Sequence, residues 1–383
     1  MQKTLITLAA LGALNTVAHA DTSSLALYGL LDAGVRSDSA AALNGSNTGS
    51  QTQFSSGILN TSRFGLRGSE DLGGGLKTNF NLESGFNTGT GANSSTSNVF
   101  DRRAIVGLQS DWGRIDLGRN TTFNYDLQSS YVNDPLGQEL TNNKQYSARA
   151  ATTINPLGTL VGSGLDTVRR DNMLKYQSPT WSGLSLGLAY AFGNVAANMG
   201  GNSSTQALLR YDVNAWQLGA AYDDLKDTLG NHQKTWTAGG NYLFNGLRVT
   251  AGYTEMKADP NFANSNTSIL TSSSANTFLY KFLNGASASS TGLKASVADV
   301  GLTFNATDLV KVVTAYYNTR YSADGLATNR YDSYVARARY SLSKRTELYA
   351  ELDYTKANGL SAAQTASGKT SNTGLALGLQ HRF

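Results

Sequence analysis

From Leu25 to the last residue the chain repeats one pattern: a stretch of alternating apolar and polar side chains, a short turn, a second such stretch, then a longer polar link. Alternation with period two places successive side chains on opposite faces, so each stretch predicts a strand with one apolar and one polar face. Phe64 and Leu66 stand against Arg63, Gly65 and Arg67; Leu76, Thr78, Phe80 and Leu82 against Lys77, Asn79, Asn81 and Glu83; Ala104, Val106 and Leu108 against Arg103, Ile105, Gly107 and Gln109. The closing residues do the same, with Leu375, Leu377, Leu379 and Phe383 on one face and Ala376, Gln380 and Arg382 on the other. Strands are predicted near 25–36, 57–69, 75–86, 99–111, 114–120, 169–178, 183–193 and 204–213. The second half supplies 215–226, 234–244, 246–257, 293–305, 309–321, 329–342, 345–356 and 373–383. Segment 309–321 offers two equally apolar faces, Val310, Val312 and Tyr316 against Val313, Ala315 and Tyr317.

Link length sorts these strands. Short turns recur at 70–74, 111–113, 179–183, 213–215, 244–246, 305–308 and 342–345. Between them lie longer polar links at 37–56, 87–98, 121–168, 194–203, 227–233, 258–292, 322–328 and 357–372. A soluble sandwich has no reason to alternate short and long connections; a transmembrane antiparallel β-barrel with tight periplasmic turns and extracellular loops does. The expected fold is therefore an all-β barrel of about sixteen strands, an even number that closes the sheet and leaves no edge unpaired.

The ends and the composition agree. Lys3 precedes an apolar run from Leu5 to Leu14, and Val17-Ala18-His19-Ala20 forms a small-residue cleavage site, so residues 1–20 predict a secretory signal peptide and residues 21–383 the barrel. No later stretch supplies the roughly 20 apolar residues of a membrane helix, and mean hydropathy is -0.29. A barrel has this disguise, because every second residue faces water. With 40 Gly, 19 Tyr and 4 Pro the chain suits strands and tight turns, and with no Cys it has neither disulfides nor thiolate chemistry. The net charge of +4, falling to +3 when Lys3 leaves with the leader, is spread along the chain, which argues against a nucleic-acid partner.

Several stretches resemble the Gram-negative general porin family in its beta-proteobacterial form. They are Leu27-Tyr28-Gly29-Leu30-Leu31-Asp32-Ala33-Gly34, Ser62-Arg63-Phe64-Gly65-Leu66-Arg67-Gly68-Ser69-Glu70-Asp71-Leu72-Gly73, Arg103-Ala104-Ile105-Val106-Gly107-Leu108, Gly113-Arg114-Ile115-Asp116-Leu117-Gly118-Arg119, and Asp171-Asn172-Met173-Leu174-Lys175-Tyr176-Gln177-Ser178-Pro179, with Phe383 at the end. The resemblance implies a homotrimeric outer-membrane channel of sixteen strands whose long third loop, here 121–168, folds into the lumen and narrows it. It also implies contacts with lipid and lipopolysaccharide, an assembly signal at Phe383, and a latch from 87–98 to a neighbouring subunit. Asp134-Pro135-Leu136-Gly137 takes the place of the family's loop-tip turn, with Leu136 departing from the family's acidic or aromatic neighbour.

In a diffusion pore the working side chains are those facing inward at the narrowest level. Strand parity gives Arg63 and Arg67 on the second strand and Arg103 on the fourth; Arg63 lies seven residues before the Glu70 turn and Arg103 eight before the Asp111 turn, a similar height. Lys77, Arg169, Lys175, Arg337 and Arg339 join them by parity. The expected constriction is thus Arg63, Arg67, Arg103, Arg119, Lys175, Arg337 and Arg339 on the wall facing Asp126, Asp134 and Glu139 on the loop, with a mild anion preference. Asp32, Glu83, Glu351 and Asp353 also point inward and temper that preference. Outward aromatics such as Tyr176, Trp181, Trp216, Trp236, Tyr334, Tyr354 and Phe383 are expected at the lipid boundaries.

Other chemistries find little. Gly183-Leu184-Ser185-Leu186-Gly187 matches a hydrolase elbow, which needs a strand, a sharp turn and a helix, yet Ser185 sits within an alternating run. His19, His232 and His381 are scattered, so no triad, metal site or cofactor is expected. A substrate-specific channel stays open as an alternative, and an outer-membrane phospholipase as a remote one.

Overall fold

The computed structural model describes residues 24–43, 47–130, 132, 134–137, 168–260, 262, 292–323, 328–358 and 371–383. The leader at 1–20 and Glu139 lie outside these residues. Strands β1 (Ser24–Leu43), β2 (Asn47–Ser56), β3 (Arg63–Gly73), β4 (Leu76–Gly85), β5 (Arg103–Ser110), β6 (Gly113–Thr121), β7 (Arg169–Gln177), β8 (Leu184–Ala191) and β9 (Ser204–Val213) make up the first half. The second half holds β10 (Trp216–Lys226), β11 (His232–Phe244), β12 (Leu247–Ala258), β13 (Leu293–Asn305), β14 (Val310–Ala323), β15 (Asn329–Ser341), β16 (Thr346–Asn358) and β17 (Ser371–Arg382). Among the described residues one helix, α1 (Phe123–Ser129), follows β6.

The strands form a single antiparallel sheet that closes on itself. β1 pairs with β17 from Leu30↔Arg382 to Asp38↔Gly374. The backbone N–H of Phe383 donates to the Gly29 carbonyl at 3.1 Å and the reverse bond is equally long, so the last residue seals the seam. On its other side β1 meets two partners in turn: β3 along Ser24–Leu30 and β2 along Ala33–Leu43. β2 and β3 are therefore one stave interrupted at 57–62, and the seventeen segments make a sixteen-stave barrel.

That stave corrects the sequence expectation of a polar loop over 37–56. The backbone there continues as β1 and β2, with Arg36↔Gln53 and Ser37↔Thr52 in register. Strands that rise beyond the apolar band need no apolar face, so their ladder persists after the hydropathy signal has gone.

The side-chain distribution is inverted relative to a water-soluble protein. Leu27, Leu188, Leu377 and Phe54 are exposed on the outer wall, whereas Asp32, Arg36, Arg170, Asp223, Arg337 and Glu351 are buried on the inner one. In β14, Val313, Ala315 and Tyr317 face inward and Val312 and Tyr316 outward, which resolves the double-faced segment. Outward aromatics pair across strands: Trp216 with Tyr242 at 4.4 Å between ring centroids, Trp236 with Tyr253 at 5.2 Å and Tyr316 with Tyr334 at 5.0 Å. The β3–β4 turn places Gly73, Gly74 and Gly75 at φ of +85°, +62° and +80°, a left-handed run that side chains would strain.

Candidate functional site: the lumen between α1 and the arginine wall

The link after β6 turns inward and lies along the inner wall. Thr122 caps α1, its hydroxyl oxygen accepting from the Tyr125 N–H at 3.3 Å. Phe123 and Leu127, at 0% and 1% exposure, pack with Met173, Ala189, Ala191 and Ala221 of the wall. Glycines make the room. A Cβ at Gly187 would lie 2.4 Å from the Phe123 ring, one at Gly219 2.2 Å from Leu127, and one at Gly301 2.4 Å from Pro135. Polar contacts continue the attachment: Gln206 Oε1 accepts from the Phe123 N–H at 3.1 Å, and Gln128 Nε2 donates to Thr254 Oγ1 at 3.4 Å. At the tip Asp134 Oδ1 accepts from the Leu136 N–H at 3.0 Å and from the Tyr317 hydroxyl at 2.7 Å. The described part of the link thus crosses to the β8–β14 wall.

Filling two of these notches tests the docking. Gly187→Val combined with Gly219→Val is expected to cost about 1–3 kcal/mol per site by overpacking and to push α1 toward the pore axis. Single-channel conductance then falls; an unchanged conductance in a folded variant would show that α1 does not bound the aperture.

Beside the docked link, β3 to β7 carry a cluster of cations. Glu83 binds the Arg102 Nε at 2.6 Å and the Arg63 Nε at 3.6 Å, and accepts from the Tyr28 hydroxyl at 2.9 Å. Arg119 is held by Asp171 and donates to the Asp101 carbonyl at 2.6 Å. Lys175 is paired with Asp126 of α1, donates to the Thr121 carbonyl at 2.7 Å and lies 4.5 Å from the Phe123 ring centroid. Arg103 donates to Thr121 Oγ1 at 3.1 Å, and Arg169 lies over the Tyr125 ring at 5.7 Å. Among the described residues neither of these two has a carboxylate in ion-pair range. Among the described residues, four of the six cations therefore pair with three carboxylates, Glu83, Asp171 and Asp126, and two pair with none. Burial works against the charge of Arg102, which stands just before β5, and the Glu83 carboxylate outweighs it, holding the guanidinium above its ordinary pKa.

The expected residues divide accordingly. Arg63, Arg103, Arg119, Lys175 and Asp126 come together beside α1. Arg67 stands apart over the Tyr28 ring at 5.0 Å, on the short-turn side. Arg337 and Arg339 sit on β15 and are bound to Glu351 at 2.6 Å and Glu347 at 2.6 Å, a wall-to-wall pairing. Asp134 is fully buried and fastens the loop tip, so its carboxylate does not face open water. Asp32 is likewise occupied, accepting five hydrogen bonds, and Asp353 binds Arg36 at 2.7 Å.

Sequence parity missed Arg102 because it extended the strand over 99–111 and so gave Arg102 the outward face, whereas β5 begins at Arg103 and Arg102 turns to Glu83. The adjacent Arg102-Arg103 doublet was the available signal. Ser185 stands inside β8 with no helix after it, and His232 and His381 bond to Asp224 and Thr346 at opposite ends of the barrel, so the described residues assemble no hydrolytic centre.

The comparisons with known proteins agree with this architecture. The family model described as Gram-negative porin matches residues 7–360. The chain belongs to the Gram-negative porin family. An outer membrane porin protein of Bordetella pertussis is 29% identical to this porin, and the outer membrane porin protein 32 of Delftia acidovorans 30% identical, each alignment spanning the whole of both chains. Among solved structures, the anion-selective porin from Comamonas acidovorans superimposes with a TM-score of 0.69 at 22% identity, covering 94% of this chain and 100% of that one. This porin is accordingly an outer-membrane channel of a Gram-negative bacterium.

Proposed function

We propose that this porin is a general diffusion pore for small hydrophilic solutes and that it prefers anions mildly. The observation that carries the preference is the cluster of Arg63, Arg102, Arg103, Arg119, Arg169 and Lys175 beside the narrowing link, six cations that pair with three carboxylates among the described residues. A row of like charges in a confined aqueous path raises the local concentration of counter-ions and repels co-ions. The relative from Comamonas acidovorans, described as anion-selective, supports the same sign. The wall acids that tempered the expectation are engaged, Glu351 by Arg337 and Asp353 by Arg36, so they offset the cluster less than their number suggests.

Arg63, Arg102, Arg103, Arg119 and Arg169 would act as the positive side of the constriction, with Asp126 on the same side paired to Lys175. Arg67, Arg337, Arg339 and Asp134 would shape the wall and anchor the loop. The subunit is proposed to work as a homotrimer, packing through the outer face of β17, β1 and β3–β5. That face presents Leu25, Leu27, Val35, Phe64, Leu66, Val106 and Leu377 to the outside. Residues 1–20 would be removed as a leader on export, and Phe383 would serve as the assembly signal.

Reconstitution in planar bilayers under a potassium chloride gradient tests the reading. Ohmic steps with a reversal potential of anionic sign are expected. A cationic sign would overturn the preference, and block by one solute class at low concentration would favour a substrate-specific channel.

A further inference from the structure

α1 does not lie flush on the wall toward the short-turn end. A cavity of about 350 Å³ opens there, lined by Gln177, Thr180, Ser185 and Arg210 of the wall and by Asp126 and Leu127 of the helix. Gln177 ends β7, Thr180 lies in the turn after it, Ser185 is the second residue of β8, and Arg210 stands near the end of β9. The cavity therefore sits on the periplasmic side of the narrowing link, and its volume suits a small organic solute.

Its charges differ in kind from those of the neighbouring cationic cluster. Two ion pairs meet at it, Lys175 with Asp126 and Arg210 with Asp212. Lys175 is buried at 3% exposure, whereas Asp126 keeps 27% and has only its Oδ2 engaged, so Oδ1 is open among the described residues. Asp212 takes Nε and Nη2 of Arg210, which leaves Nη1 with one contact of 3.3 Å to Ser130 Oγ. Each pair thus holds its members in place and offers one charge to the cavity, a carboxylate oxygen from α1 and a guanidinium N–H from β9. A solute with a single net charge is repelled by one of these two; a solute carrying both signs is attracted by each.

The uncharged lining points the same way. The Gln177, Thr180 and Ser185 side chains make no hydrogen bond among the described residues, and Leu127 and Leu208 add an apolar floor. Ser185, singled out by the G-x-S-x-G pattern, shares the lumen-facing parity of Gly187, whose missing side chain admits the Phe123 ring. Two hydroxyls and an amide beside a fixed anion and a fixed cation fit a compact polar molecule better than an aliphatic one.

We propose that this cavity is a subsite for small zwitterions of the α-amino-acid class. Asp126 Oδ1 receives the ammonium, Arg210 Nη1 donates to the carboxylate, and Gln177, Thr180 and Ser185 meet a short polar side chain. Such solutes are held briefly beside the constriction as they cross. The inference requires only that the lumen is the solute path and is independent of the sign of the ion preference.

Single folded channels in planar bilayers test it, with L-glutamine, L-glutaminamide or mannitol on both sides and the current read as a fraction of each channel's own open level. L-glutamine is expected to lower the mean current reversibly at a lower concentration than mannitol. L-glutaminamide, which lacks the carboxylate, should need about tenfold more than L-glutamine, the order of one charge-assisted hydrogen bond. Arg210→Gln should weaken L-glutamine about tenfold and leave L-glutaminamide unchanged, since only the former has a carboxylate for Arg210 to hold. Ser185→Val, a side chain that suits a strand, should weaken both probes about threefold through a lost neutral hydrogen bond. It carries the mutational test if Arg210→Gln forms no channels. Equal action of L-glutamine and mannitol, an L-glutamine response that the variants leave unchanged, or equal weakening of both probes by Arg210→Gln would overturn the proposal. Ohmic steps in potassium chloride would leave the channel assignment standing in each case.

Discussion

Replacing Arg63, Arg102 and Arg169 together with glutamine is expected to lower the anion-to-cation permeability ratio about fivefold, the order set by roughly 1 kcal/mol for unit charges a few ångströms apart in a water-like medium. The effect exceeds simple loss of three charges. Arg63 and Arg102 are both bound to Glu83, at 3.6 and 2.6 Å, so their removal leaves that carboxylate facing the pore with the Tyr28 hydroxyl as its remaining partner. A neutralised cation and an unmasked anion push in the same direction, and the reversal potential under a salt gradient is expected to cross to cationic sign. Arg169 contributes without that gain, since it contacts the Tyr125 ring and no carboxylate within ion-pair range among the described residues. Reversal potentials equal to the wild type would mean that the aperture lies elsewhere. Raising the salt concentration should shrink the difference between the two proteins, because screening shortens the reach of these charges.

The barrel was legible in the sequence because parity is a strict rule. The alternation of Phe64 and Leu66 with Arg63 and Arg67 settles which face meets lipid, and a one-residue slip would reverse it. Link lengths gave the polarity of the strands. What alternation could not show lies where side chains need not alternate. β2 has Phe54 as its one large apolar residue, Arg102 stands just outside β5 although alternation carried the strand back to 99, and α1 is a short helix whose apolar residues answer notches on distant strands. Gly187, Gly219 and Gly301 are ordinary strand glycines in the sequence. Their meaning depends on Phe123, Leu127 and Pro135 arriving from a link far off in the chain. Charge balance was the least legible feature. Arg337 and Arg339 share the inward parity of Arg63, yet the neighbouring strand supplies Glu351 and Glu347 in reach, and only the pairing register reveals that they are spent on each other.

The largest loss of stability is expected from a residue that parity marked only as one more inward acid. Asp32 is fully buried on β1, and its carboxylate accepts from the N–H groups of Ile58 and Leu59 at 3.1 Å and Asn60 at 2.8 Å. It also accepts from the Tyr349 hydroxyl at 2.7 Å and Gln380 Nε2 at 2.9 Å. Its own backbone carbonyl takes the Gly57 N–H at 2.7 Å, so the 57–62 interruption of the second stave is folded onto this one side chain. Ile58 and Leu59 then pack on Tyr349 and Ala376. Asp32→Ala strands five donors at once, and with each stranded buried donor worth about 1–3 kcal/mol and some regaining water, a net loss of about 3–5 kcal/mol follows. Asp32→Asn should recover little. Oδ1 and Oδ2 both accept, from two and three donors respectively, and an amide nitrogen in either place would point its hydrogens at other hydrogens. Urea unfolding followed by tryptophan fluorescence in detergent micelles checks this. A midpoint shared by the wild type and both variants would mean that the Ile58, Leu59, Tyr349 and Ala376 contacts hold the segment without the carboxylate. A loss in Asp32→Ala that Asp32→Asn largely restores would mean that side-chain volume at this position, and not its two acceptors, is what the barrel requires.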